Sequence, residues 1–314
     1  MSLRKFIIPL ALSVASVAGV SISHAASADS SYKSAIEQSR QESEQRLRAP
    51  YGTLSIVGLF WLHDGGNRIG SHPASEVPLP SDVAPARLGL VKVAGGTTSL
   101  EVNSDTPVSV NGARVKTAVL ANDGKSTRAA VEIGRLKLSL VSSEQGQAIQ
   151  VSDPNSALRR DFGGQQWFSV DEGWRVPARY VAYPQAKIVP YDSAVGGTRS
   201  APSPGYVTFV RDGHEYSLDV LEENAEGRVA IFFDATTGKS TYAGGRVVHI
   251  EKGEGDLVTL DFNKAFNRPC AVSPFTVCRI APEQNRLKAL VVQAGEKKPL
   301  IKVQRVASAP EYIK

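Results

Sequence analysis

The chain has 314 residues, of which 42% are apolar and 21% charged, enough for one large globular domain or two ordinary ones with real cores. Its formal net charge of +5 is spread along the chain rather than gathered in a basic run, which argues against a nucleic-acid partner. No repeat at fixed period, heptad run or low-complexity tract is present, which excludes a solenoid, a coiled coil or a fibrous chain.

Residues 1–25 read as a signal peptide. Arg4 and Lys5 form a positive start, Phe6 to Val20 is mostly apolar, and Ser23-His24-Ala25 offers small residues for cleavage after Ala25. No later segment approaches the ~20 apolar residues of a membrane helix, so no transmembrane segment is expected after cleavage. The expected location is therefore the periplasm or the exterior. Residues 26–50 follow as a polar helix with few apolar positions (Tyr32, Ala35, Ile36, Leu47), stopped by Ala49-Pro50.

From Tyr51 the texture becomes that of β-structure. "LSIVGLFWL" (Leu54 to Leu62) suits a buried strand, and "DGGNRIG" a turn. Asn111-Gly112 signals a hairpin. In "RLKLSLV", Leu136, Leu138 and Leu140 alternate with Arg135, Lys137 and Ser139, giving one dry and one wet face. The segment 51–165 is expected to be a sandwich or barrel. Tyr183 to Gly205 is rich in Pro, Gly and Ser and reads as a linker or long surface connection. Strand patterns resume through "GYVTFV", "RVAIFFDATTG", "RVVHIE" and "DLVTLDFN", and Leu287 to Gln293 looks like one more. The expected fold class is all-β, with 166–314 forming a second β-rich unit around a proline-rich loop.

That loop holds both cysteines. An exported protein favours a Cys270–Cys278 disulfide, worth roughly 2.5 kcal/mol by chain entropy. Free thiols or half of a metal site are the alternatives, though no histidine follows Cys270.

Standard nucleophile machinery is absent: there is no G-x-S-x-G, H-E-x-x-H or P-loop. His63, His72, His214 and His249 read as turn or surface residues. The densest polar set is Asp261, Asn263, Glu283, Asn285 and Glu296, with Arg246 as a charge partner and Asp234, Thr236 and Tyr242 as further members. Asp261 and Asn263 flank Phe262, so in a strand they share one face while Phe262 enters the core. Such carboxylates and amides could bind a small molecule or peptide, hold Ca2+ or Mg2+, or, as the pair Asp261 and Glu283, serve as acid and base of a hydrolase. The structural alternative is that these side chains satisfy backbone around a rigid loop, leaving a scaffold or partner-binding protein. Trp61, Trp167 and Trp174 read as packing residues rather than sugar platforms.

"FFDATTGKSTYAGGR", "LDFNKAFNRPCAVSPFTVC", "PEQNRL" and "AGEK" resemble a bacterial domain-of-unknown-function family, number sixteen-eighty-four of its series. The likeness extends to "GLFWLHDGGNRIGS" and "GWRVPARY", and departs from the pattern at Arg268 and Ala281. It implies no activity. "NRIGSHPASEVPLP", "VSVNGARV" and "VEIGRLKLSLV" resemble forkhead-associated (FHA) domains, implying a β-sandwich. Ser71 stands where that family places its phosphate-binding arginine, so the resemblance does not imply phosphopeptide reading.

Overall fold

The computed structural model describes residues 21–301, apart from 123–124, 127–128, 144 and 225–226. Most of the expected signal peptide, residues 1–20, therefore lies outside the described residues. The N-terminal helix spans Ser21–Arg48 and ends just before Ala49-Pro50, since the residue before a proline resists helical backbone.

Two six-stranded sheets follow. The first has the order Ile56–Trp61, Gly146–Ser152, Leu136–Ser143, Ala130–Ile133, Val108–Val110 and Ala113–Arg114. The second runs Val77–Pro78, Gly65–Gly70, Gly89–Ala94, Thr97–Val102, Thr117–Asn122 and Lys125–Ser126. Their inner faces share one core: Ile133, Leu136, Leu138 and Ile149 from the first meet Ile69, Val91, Leu100 and Leu120 from the second. This is a β-sandwich, as the alternation of Leu136 and Leu138 with Lys137 and Ser139 implies. Asn111 and Gly112 both adopt positive φ (50° and 83°) at the predicted hairpin turn, where Asn111 Oδ1 also accepts the Ala130 N–H at 3.1 Å.

The remaining chain builds a third sheet of nine strands. Its main path runs from His214–Asp219 through Thr198–Arg211, Arg175–Asp192, Leu257–Asp261, Arg246–Lys252 and Gly227–Asp234 to Glu222–Asn224. The Pro/Gly/Ser-rich stretch read as a linker is instead this sheet's longest hairpin. Arg175–Asp192 pairs antiparallel with Thr198–Arg211, and a register shift between Ala182 and Lys187 passes Pro184 without breaking the ladder. The expected strand Leu287 to Gln293 shrinks to Arg286–Leu287. Beyond it, side chains claim the backbone: the Asp234 carboxylate accepts the Val292 N–H at 2.9 Å, and Arg246 takes the Val292 and Ala294 carbonyls.

Phe262 centres the third sheet's core as expected, with ring centroids 5.9 Å from Trp174, 5.7 Å from Phe209 and 5.3 Å from Phe232. A smaller cluster of Leu54, Phe162, Ala271 and Val272, with Leu47 against it, ties the helix, the start of the sandwich and the proline-rich loop together. Cys270 and Cys278 are disulfide-bonded and buried, which removes the free-thiol and metal readings. Replacing both with serine should lower stability by about 2 kcal/mol in urea unfolding, because the loop they close anchors that cluster.

Candidate functional site

The helix, the sandwich and the third sheet leave between them a cleft of about 980 Å3. The helix supplies Ile36, Ser39, Arg40, Ser43, Arg46 and Leu47. These recur every three or four residues and so share a face. The sandwich supplies Lys137, Ser139, Gln150 and Ser152. The wet face of "RLKLSLV" is thus a cleft wall. The third sheet and its loops supply His249, Asn263, Phe266, Asn267, Arg268 and Glu296, and the connection between the units adds Gln165 and Trp167.

Of the polar set singled out from the sequence as candidate ligand contacts, Asn263 and Glu296 line this cleft. Asp261 lies behind it. Leu257–Asp261 ends at that residue and Phe262–Lys264 turns into a 3-10 helix, capped by the Asp261 carboxylate accepting the Asn263 N–H at 3.1 Å. Tyr32 of the helix donates its hydroxyl proton to that carboxylate, 2.9 Å from both oxygens. Burial and the facing Asp261 carboxylate push the Tyr32 hydroxyl well above the ordinary phenol range. Asn263 is saturated: its amide donates to the Tyr32 oxygen (3.0 Å) and the Asp171 carbonyl (2.8 Å), and its Oδ1 accepts the Asp171 N–H (3.0 Å).

The other members stand apart. Asn285 is fully buried and holds three backbone groups, the Asp219 N–H (2.7 Å) and the Asp219 and Ile231 carbonyls (2.9 Å each). It is a structural pin. Glu283 is at the surface, in ion pairs with Arg286 (2.5 Å) and Lys288 (3.0 Å) that hold its carboxyl below the usual range, the Lys288 bond foremost. Asp261 and Glu283 therefore have separate partners and share no hydrogen bond. Arg246 is 1% exposed, bonded to the Val292 and Ala294 carbonyls and, at 3.3 Å, to the Asp234 carboxylate. Asp234 is in turn held by Thr236 and Thr237. Tyr242 donates to the Cys270 carbonyl at 3.1 Å. Among the described residues no group of three or more His, Cys, Asp or Glu is placed to hold a metal ion.

Glu296 is the most unusual group in the cleft. An isolated bridge pairs it with Trp167, and its own N–H donates to the Ala265 carbonyl at 2.8 Å. Gly295 makes this turn possible: its φ is +76°, and a Cβ there would lie 2.5 Å from the Ala265 carbonyl oxygen. The carboxyl accepts the Asn267 N–H at 2.7 Å. Burial raises its pKa to about 7, with the hydrogen bonds from Asn267 and Gln165 and the charge of Arg246 acting the other way. Gln165 Oε1 and Asn267 Oδ1 are buried acceptors without a donor. Arg40 lies 4.9 Å over the Trp167 ring; it donates to the Asn263 carbonyl at 3.5 Å, and its Nε is buried without a partner. Arg40, Lys137 and Gln165 lie outside the polar set read from the sequence, and Asn267 belongs to the same crowded polar run as that set. The helix's three-to-four spacing points to Arg40 and the wet face of the strand to Lys137; no local signal marks Gln165.

Among the described residues no helix is long and apolar enough to cross a membrane. None of the curated proteins compared matches the chain. An uncharacterized protein of Haloarcula marismortui, solved by solution NMR, is 29% identical over 44% of this chain and 78% of its own, with a TM-score of 0.36. An FHA domain studied for phosphothreonine-dependent interactions is 21% identical over 29% of this chain and 79% of its own, at 0.21. The FHA-2 domain of a Mycobacterium tuberculosis ABC transporter is 27% identical over 28% and 76%, at 0.22. The stretch "GLFWLHDGGNRIGS" lies outside the segment for which a family is found. Residues 160–297 match the family described as "Protein of unknown function (DUF1684)", the one its C-terminal motifs resemble.

Proposed function

We propose that this is an exported binding module, periplasmic or secreted, that holds a small molecule in the cleft between its N-terminal helix, its sandwich (51–165) and its C-terminal unit (166–314). One observation carries the reading: three stretches distant in sequence converge on a cavity of about 980 Å3, at the upper end of the range of small-ligand sites. The leader pattern of residues 1–25 and the Cys270–Cys278 disulfide support export. The polar set read from the sequence is narrowed to Asn263 and Glu296 and enlarged by Arg40, Lys137, Gln165 and Asn267. A thermal-shift screen of charged and neutral small molecules tests this, run beside the cleft-filling variant Ser139→Trp. Compounds that raise the melting temperature of the parent but not of the variant support it. Hits indifferent to Ser139→Trp place binding elsewhere and overturn it.

A hydrolytic reading moves from Asp261 and Glu283 to Glu296, because a carboxyl titrating at about 7 suits a general acid or base. It requires turnover of esters, glycosides or phosphates that Glu296→Gln abolishes. Rates no higher than buffer across such panels discard it.

A further inference from the structure

The charges around the cleft are one-sided. Arg40, Arg46, Lys137, Lys264 and Arg268 line it, whereas Glu296 is the only acid among the described residues that do. Arg40 and Lys264 have acidic partners outside the cleft, Glu37 at 3.2 Å and Glu251 at 2.6 Å. Arg46 and Lys137 have none among the described residues, and Lys137 lies over the Tyr51 ring, 5.4 Å from its centroid. The chain as a whole carries 36 basic against 31 acidic residues, so five bases to one acid in a single cavity is a local concentration and not an average. A low-dielectric wall strengthens the field such a group sets up.

Half-buried apolar side chains line it beside these bases: Leu47 from the helix, and Trp167 and Phe266 from the other side, while Ile36, Ile56 and Val272 reach it as buried side chains. A fully polar anion such as free phosphate or a sugar phosphate would leave Leu47, Trp167 and Phe266 partly facing water. An uncharged apolar molecule would in turn leave Arg46 and Lys137 without counter-charge, and the buried Arg40 Nε without an acceptor. Both requirements are met together by a molecule with an apolar body and one anionic end.

Resting on the binding reading above, we infer that the cleft takes a single small amphiphile with an anionic head, carboxylate or phosphate, whose chain lies along the apolar walls. The head meets the guanidinium and ammonium groups, and the body packs on Trp167, Phe266 and the helix face. Glu296 is the one acid among the described lining residues, so a ligand with a cationic head has only that one group to meet. The recognition is thus charge-selective at one end and shape-tolerant at the other, which defines a ligand class rather than one compound.

Isothermal titration of the purified protein with four matched probes tests this: laurate, dodecyl phosphate, dodecyl maltoside and dodecyltrimethylammonium, each below its micelle concentration. Laurate or dodecyl phosphate should bind at least about tenfold more tightly than the neutral and cationic probes, and which of the two is tighter identifies the head. The preference should shrink as salt is raised, since the charged groups are partly solvated. Arg46→Glu with Lys137→Glu changes two exposed or half-buried side chains, and its fold is checked by circular dichroism. It should weaken the anionic probes about tenfold or more and leave dodecyl maltoside unchanged. Equal binding of all four probes, or an anionic preference that survives the double reversal, overturns the inference while leaving the cleft as a binding site. Binding by none of the four overturns it too, and the small-molecule screen with Ser139→Trp then decides separately whether the cleft binds anything.

Discussion

Arg246→Ala is expected to cost about 4 kcal/mol and to lower the melting temperature by about 10 °C. The guanidinium is among the largest fully buried side chains of the protein, and it ties two segments that are otherwise irregular. Its Nη1 donates to the Ala294 carbonyl and its Nη2 to the Val292 carbonyl at 3.0 Å and to Asp234 at 3.3 Å. Burial lowers its pKa, and the Asp234 charge opposes that loss. Alanine would leave a cavity, two buried carbonyls without donors and a carboxylate without its counter-charge, a combination more costly than any one of these alone. Gly245, at φ +83° with the Phe232 carbonyl 2.7 Å from where a Cβ would stand, fixes the backbone from which the side chain reaches. Lysine should recover less than half of the loss, because one ammonium cannot span three acceptors held in a fork. A drop of under 2 °C for alanine would show that residues 290–297 are held by packing alone.

Glu296→Gln should stabilise the protein at pH 8 and have little effect at pH 4. The folded protein retains the Glu296 proton up to about pH 7, whereas in the unfolded chain it leaves near the ordinary value of 4.5. Between these values the folded state binds the extra proton, so stability is full below 4.5 and falls as pH rises through 7, by about 3 kcal/mol in total. Glutamine cannot ionise and removes that slope. Its carbonyl can still accept the Asn267 N–H, and its amide supplies a donor to a site where Gln165 Oε1 and Asn267 Oδ1 lack one. Urea unfolding of both proteins at pH 4, 6 and 8 measures this directly. Parallel stability curves would mean that Glu296 ionises normally in the folded state.

The elements legible in the sequence are those set by local chemistry. Asn111-Gly112 turns because both residues accept positive φ, Pro50 stops the helix, and the alternation of Leu136, Leu138 and Leu140 marks a sheet face. Phe262 lies in the core, although from the first turn of a 3-10 helix and not from a strand, and the nearby cysteines pair. What the sequence hid is long-range pairing. The polar crowding from Leu260 to Lys298 is real, but Asp261 and Asn263 are satisfied by Tyr32, more than 200 positions away, and Asn285 by the backbone of two strands. Polar density alone does not distinguish a group facing a ligand from one facing its own main chain. The cleft was invisible for a related reason. Its walls come from a helix that reads as solvated and from the outer face of a sandwich strand, and each looks like ordinary surface until the other is placed against it. The Pro/Gly/Ser-rich hairpin is hidden because proline frequency marks loops on average, whereas here a register shift passes Pro184, and Pro190 and Pro202 sit within the ladder opposite Ser200 and Ile188.

The most direct test of the account is a crystal structure of the protein grown with the tightest-binding amphiphile. Electron density in the cleft is predicted, with the head against the basic groups that include Arg40 and Lys137 and the chain along Trp167 and Phe266. Density for the compound on any other face, with the cleft holding only solvent, would contradict it.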